Sequence, residues 1–302
     1  MISYVTGVGV PFWLVVQPLA GVLFLVLMLK LLTKATEDAA TAMVMVAGMA
    51  FIYTGKAFYV DVVGYFDGMA MLLILLAMWS KGLLLPMTMS LMAFFVDERA
   101  IMAVPTVVLW QQYVGGVALM PFGKKWKLSS AGVGIGISVI IYLIMRYLIG
   151  REFGLGAEVG STPLLGLETL RTNYATMPLL LLTGIEFYWV AVGAVVVYAL
   201  RKGGAGWCML VFAYLGAAVF ASLLSLDVTR SIAYLFPAVV LGMVMVVKEE
   251  GLQIGRGFAA GLLVLAILFP PIFSVGNMHL WMGPALPKIA KWIWSYTMGG
   301  GI

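Results

Sequence analysis

Long apolar runs, each about twenty residues, recur along the whole chain and are separated by short polar or charged breaks. A helix needs about 20 apolar residues to cross the hydrocarbon of a bilayer. The pattern predicts helices over 11–32, 39–59, 64–80, 82–96, 100–120, 128–149, 177–200, 205–226, 230–248 and 257–275. The fold class is therefore all-α: a polytopic transmembrane helical bundle of about ten spans. The third and fourth runs are short for a crossing and read as tilted, half-spanning or re-entrant. Residues 1–276 form a single transmembrane domain, with 150–177 as a long outer loop and no separate extramembrane catalytic domain. The tail 277–302 carries Trp281, Trp292, Trp294 and Tyr296 with Lys288 and Lys291, a mixture that predicts an interfacial amphipathic helix. No internal sequence repeat is visible.

Composition agrees with the pattern. Of the 302 residues 63% are apolar and 10% charged, and the mean hydropathy is +1.08. A soluble domain has about 45–50% apolar and about 25% charged residues. A water-soluble or disordered chain is excluded, and so is a transmembrane barrel, whose strands alternate instead of running apolar. The lone Cys208 excludes an internal disulfide and a cysteine cluster, and the lone His279 argues against a multi-histidine metal or haem site. No flavin or nucleotide signature is present. The net charge of +5 orients loops and does not point to nucleic acid. Residues 1–11 lack a basic leader, so the first apolar run reads as a retained span and not a cleaved signal.

With the N-terminus outside, the inner loops hold ten basic and four acidic residues, and the outer side eight basic and nine acidic. The short clusters Lys124-Lys125-Trp126-Lys127 and Arg201-Lys202 favour this orientation.

Ionisable residues in or near hydrocarbon are costly, so each invites a functional or pairing explanation. On this topology they gather at the outer face: Lys56, Asp61 and Asp67; then Asp97-Glu98-Arg99; then Asp227-Val-Thr-Arg230. Arg146 flanks the long outer loop. Each acid has an ordinary alternative. Asp67 and Asp227 suit helix caps, and Asp97, Glu98 and Arg99 suit a turn with a local ion pair. Taken as a set, they suggest one polar site with Asp61, Asp67, Asp97, Glu98 and Asp227 as acid/base candidates. Arg99, Arg146 and Arg230 are then candidates for binding, because a guanidinium offers a planar fork of donors to phosphate. Glu186 lies inside the seventh run, about 13 Å from its outer end at 1.5 Å per residue. It either pairs with Arg146, Arg99 or Lys56, or faces an aqueous vestibule. It is the ninth candidate site residue.

Other signals are weaker. The 21 methionines read as packing and not as a copper path. The glycines of Ala131-Gly-Val-Gly-Ile-Gly136 lie in an apolar run and read as close helix packing. Pro270-Pro271 reads as a kink near the end of the tenth run, and the long outer loop as a lid or a passive connection.

Three stretches carry a family resemblance: Asp67-Gly68 ahead of an apolar run, Phe95-Val-Asp97-Glu98-Arg99-Ala100, and Asp227-Val-Thr-Arg230-Ser231 ahead of Phe236-Pro237. Together with many hydrophobic helices, they resemble bacterial GT-C-type integral-membrane glycosyltransferases and related polysaccharide-assembly proteins. The resemblance implies a bacterial inner-membrane protein acting in envelope polysaccharide or glycolipid assembly. It implies transfer of a sugar from a polyprenyl-phosphate donor at the outer face. Asp61 or Asp67 would be the base, with Arg99 and Arg230 on the phosphate. A divalent cation is compatible with that chemistry and is not readable from the residues. One departure stands out: the family carries its acid in a first outer loop, whereas the first connection here, Thr33–Asp38, is inner. Two other classes fit the residues: a transporter or lipid flippase with a Glu186/arginine pathway, and a non-catalytic subunit contacting membrane-protein partners through its tail. Membrane lipids are partners in all three, and nucleic acid in none.

Overall fold

The structure, a computed structural model, describes residues 10–60, 66–115, 128–153, 170–171, 177–202, 204–224, 227–269, 272–275 and 278–281. The apolar runs are mainly helical over their described residues, as expected where the backbone must satisfy its own hydrogen bonds, apart from a strand at the end of the tenth. Helix α1 (Val10–Thr36) has 27 residues, about 40 Å at 1.5 Å per residue. Its last turn is closed by the Thr36 hydroxyl, which donates to the Leu32 carbonyl at 2.8 Å. Asp38 then caps α2 (Ala39–Phe51), accepting from the Thr41 N–H at 2.7 Å. The Thr41 hydrogen bonds, with Arg256 close by, hold the Asp38 carboxyl down at about 2.

Helix α3 (Tyr53–Val60) follows α2 across a sharp bend at Ile52, and the two axes differ by 63°. Helices α4 (Asp67–Trp79) and α5 (Leu84–Val96) form an antiparallel hairpin, each arm about 20 Å long. A 3-10 turn (Glu98–Ala103) leads into α6 (Val104–Val114), whose Pro105 sits in the first turn, where no N–H is needed. Helix α7 (Ser130–Phe153) lies along α5. There the backbone of Gly134 approaches the Leu83 carbonyl so closely that a Cβ would clash. Of the glycine run read as a packing face, this is the position that needs to be glycine; Gly136 meets nothing within 4 Å.

The second half is more broken. It comprises α8 (Met177–Leu182), a 3-10 turn (Glu186–Tyr188), α9 (Trp189–Lys202), α10 (Gly204–Leu223), α11 (Val228–Ala233), α12 (Phe236–Glu250) and α13 (Leu252–Leu268). Helix α12 is the axis of the bundle. It is buried from Phe236 through Val247 and packs against α1, α6, α9 and α13. The outer helices carry exposed large apolar side chains, including Val15, Leu19, Ile140, Leu143, Tyr147 and Leu148. Such a belt belongs against lipid.

Among the described residues, two helices are long and apolar enough to cross a membrane alone: Val15–Thr36 and Ser130–Glu152. The bent pair α2–α3 qualifies as a third if it counts as one broken span. The protein is thus a helical bundle with apolar, membrane-compatible helices, and the expected count of ten crossings goes beyond what these helices establish. Several single runs are divided into two helices, and α4 and α5 are each too short to cross alone.

The tail also differs from expectation. Ile272–Val275 (β1) and Met278–Trp281 (β2) pair antiparallel, Ile272 opposite Trp281 and Val275 opposite Met278. The predicted amphipathic helix from 277 is therefore replaced by a strand at its start. Residues 282–302, and the Pro270-Pro271 kink, lie outside the described residues. So does 172–176 and most of the long loop.

Candidate functional site

Three chain segments bring their charges to one end of the bundle. Asp67 opens α4, whose N-cap is Phe66 in the left-handed region at φ 59°. Asp97 ends α5 and caps the following 3-10 turn by accepting from the Arg99 N–H at 3.1 Å. Asp227 stands at the N-cap of α11, and Arg230 lies one turn further on. The antiparallel α4–α5 hairpin places Asp67 beside Asp97, and the packing of α11 against α3 and the 3-10 turn delivers Arg230 between them.

The result is a closed network of three aspartates and two arginines. The Arg230 guanidinium forks onto Asp67, with Nε on Oδ2 and Nη2 on Oδ1, while its Nη1 donates to Asp227 Oδ2 at 2.9 Å. Arg99 reaches all three acids: Nε to Asp97 Oδ1 at 3.0 Å, Nη1 to Asp227 Oδ2 at 3.3 Å and Nη2 to Asp67 Oδ1 at 3.4 Å. Two tyrosines complete it. The Tyr53 hydroxyl donates to Asp67 Oδ2 at 3.0 Å, and the Tyr234 hydroxyl to Asp97 Oδ2 at 2.8 Å.

Burial is graded across the network. Asp67 is fully buried and Arg230 nearly so. The Arg99 and Asp227 side chains keep 17% and 14% exposure, so they form the edge that meets whatever lies outside. Buried charge pairs resist the loss of one member, which leaves the other uncompensated in low dielectric. Three carboxylates against two guanidiniums leave the centre acid-rich by one charge.

The structure thus unites Asp67, Asp97, Arg99, Asp227 and Arg230, and leaves the other candidates apart. Glu98 and Arg146 pair with each other at 2.6 Å, both about half exposed, and Arg146 also donates to the Tyr142 hydroxyl at 3.2 Å. They form a surface pair beside the network. Glu186 is buried at a separate helix break, and neither of its carboxylate oxygens has a hydrogen-bond partner. Asp61 lies outside the described residues. Asp67 is fully buried and gripped by Arg230 and Tyr53. Sequence reasoning missed Tyr53 and Tyr234. Tyrosine is common in apolar helices, and only the neighbouring acids reveal that these two hydroxyls serve the network.

Among the described residues no group of three acidic, imidazole or thiol side chains is arranged to hold a metal ion; the two guanidiniums stand between the aspartates. At the remote end of α4, Lys34, Lys81 and Lys248 line a cavity of about 330 Å³ with Trp79, Trp110 and Tyr113. The aspartate–arginine cluster and this lysine group thus lie at opposite ends of α4.

Comparison with family models, with characterised proteins and with solved structures finds no match to this chain.

Proposed function

We propose that the chain is a membrane-embedded glycosyltransferase-like protein that takes a sugar from a polyprenyl-phosphate-linked donor, in envelope polysaccharide or glycolipid assembly. The observation that supports this reading is the convergence of Asp227 and Arg99 at the open edge of one buried aspartate–arginine network. A lipid-linked donor enters sideways from the bilayer, so its phosphate meets the protein near a membrane face. Arg99 receives that phosphate, and Asp97, held by Tyr234, keeps the guanidinium oriented. Asp227 takes the proton of the acceptor hydroxyl as its oxygen bonds to the anomeric carbon. The bond between that carbon and the phosphate oxygen breaks, and Arg99 stabilises the departing phosphate charge. Arg230 and Asp67 hold Asp227 in place from behind.

The test is mass spectrometry of lipids that copurify with gently extracted protein. Wild type is expected to carry a polyprenyl phosphate that Arg99→Ala loses, with both proteins inserted equally. Bulk phospholipid alone, unchanged by the substitution, would sink the reading.

A second reading rests on a different observation. Nε and both Nη atoms of each guanidinium are already committed to aspartates. Such a self-satisfied charge centre inside a bundle suits a proton- or ion-coupled transporter or lipid flippase, in which the network opens only during transport. Reconstitution into vesicles with a pH-sensitive dye inside separates the two. Substrate-dependent acidification favours transport, and its absence together with a bound polyprenyl phosphate favours transfer.

A further inference from the structure

The run 177–200, which the hydropathy pattern reads as one span, is interrupted in a built way. Helix α8 ends at Leu182, and Gly184 follows at φ 87°. A Cβ at Gly184 would meet the Thr229 carbonyl oxygen, so the break is wedged against α11, the helix that carries Arg230. Glu186 comes next at φ 48°, a left-handed conformation that a non-glycine residue rarely adopts. The backbone groups freed by the break find partners. The Thr183 hydroxyl donates to the Leu180 carbonyl at 2.6 Å, and the Trp189 indole N–H donates to the Leu181 carbonyl.

The Glu186 side chain is treated differently. The residue is 8% exposed, and both of its carboxylate oxygens are buried and accept no hydrogen bond. An ionised carboxylate buried without a donor or an ion-pair contact is far costlier than a neutral acid in the same place. Among the described residues the surroundings supply one cation and one further titratable group. Lys56 of α3 lies within electrostatic range of Glu186 without an ion-pair contact, and Tyr188 lies on the same 3-10 turn with its hydroxyl over Gly48 of α2. Helices α8 and α2 contribute no ionisable residue, and Arg256 of α13 is engaged with Asp38 and Thr41. Arg230 of α11 is held by Asp67 and Asp227. Lys56 is one helical turn from Tyr53, the donor to Asp67, so α3 presents Glu186 and the aspartate network with neighbouring residues.

We propose that Glu186 is a proton-binding site of the membrane domain, distinct from the aspartate–arginine network, with Lys56 as the counter-ion of its ionised form. The bound proton sits on a carboxylate oxygen of Glu186 and leaves to water when the break opens. This holds under either functional reading.

The test is infrared difference spectroscopy of the full chain in lipid, wild type minus Glu186→Gln, titrated with pH. The expected result is a protonated-carboxyl carbonyl band at neutral pH that Glu186→Gln removes. It should fall about tenfold for each pH unit above its midpoint. Lys56→Met should move that midpoint to higher pH, a response that a purely structural Glu186 would not give. Absence of the band at neutral pH in folded protein overturns the proposal. Loss of the band on adding sodium at fixed pH also overturns it, by making the site one for a metal cation. The band is read whatever the chain transports or transfers, so its outcome is separate from that of the copurified-lipid experiment.

Discussion

At the scale of single residues, Asp67 is the most exacting position in the molecule. It is fully buried, accepts a bidentate Arg230 and a Tyr53 hydroxyl, and lies within reach of Arg99. Asp67→Asn keeps the shape and removes the charge, leaving two buried guanidiniums short of a partner. The expected cost is about 3–5 kcal/mol, the usual penalty for breaking a buried pair from one side. Denaturant unfolding in detergent reads it; a change under about 1 kcal/mol would mean that the network is more solvated than its burial implies. Tyr234→Phe removes one donor to Asp97 and should cost about 1.5–3 kcal/mol, typical of a hydrogen bond to a charged group. Asp97, Arg99, Asp227, Arg230 and Asp67 were legible as a set because charge in apolar surroundings is conspicuous. Their pairing was not, because Arg230 and Asp67 are 163 residues apart and no local pattern joins them. Of the three cations that the chain offered Glu186, Arg146 pairs with Glu98 and Arg99 with the three aspartates.

At the scale of elements, hydropathy reports depth in the membrane and not continuity of the helix. The runs 39–59, 177–200 and 230–248 look alike in sequence, yet each is divided: at Ile52, at 183–188 and at 234–235. Polarity marks only the second, through Thr183 and Glu186, and there hydroxyl and indole donors satisfy the freed carbonyls. Helix packing was more legible where a glycine is required. Gly134→Val would drive a side chain into the Leu83 carbonyl and should destabilise the α5–α7 pair by about 1–3 kcal/mol, as overpacking does. Gly136→Val, which meets open space, is the control. The Asp38 cap makes a pH prediction. Its carboxyl is held at about 2, below its ordinary value of 3.8. The stabilisation is therefore complete above the ordinary value and lost as pH falls toward about 2. Thermal unfolding of Asp38→Asn should show a flatter dependence than wild type between these limits. Parallel curves would remove the cap from the account.

At the scale of the whole molecule, the two ends of the bundle differ in chemistry. Aspartates and arginines close one end, and Lys34, Lys81 and Lys248 gather with tryptophans at the other. Cysteines introduced at Glu98 and at Lys81, in a Cys208→Ser background, should label with an impermeant reagent from opposite sides of sealed vesicles. Labelling of both from one side would refute the membrane orientation of the bundle. The number of crossings was not legible in the sequence, since short arms such as α4 and α5 have the hydropathy of spans without the length.

The long reach of the Asp67–Arg230 pair has a consequence for how the protein is made. Translation proceeds at about 5–20 residues per second. Arg230 therefore leaves the ribosome on the order of ten seconds after Asp67. Throughout that interval the first hairpin must hold an acid whose principal partner does not yet exist. Arg99, 32 residues downstream, arrives much sooner and is already in register with it. The carboxylate thus has one guanidinium available to it before the second is made, and gains the other as the chain lengthens.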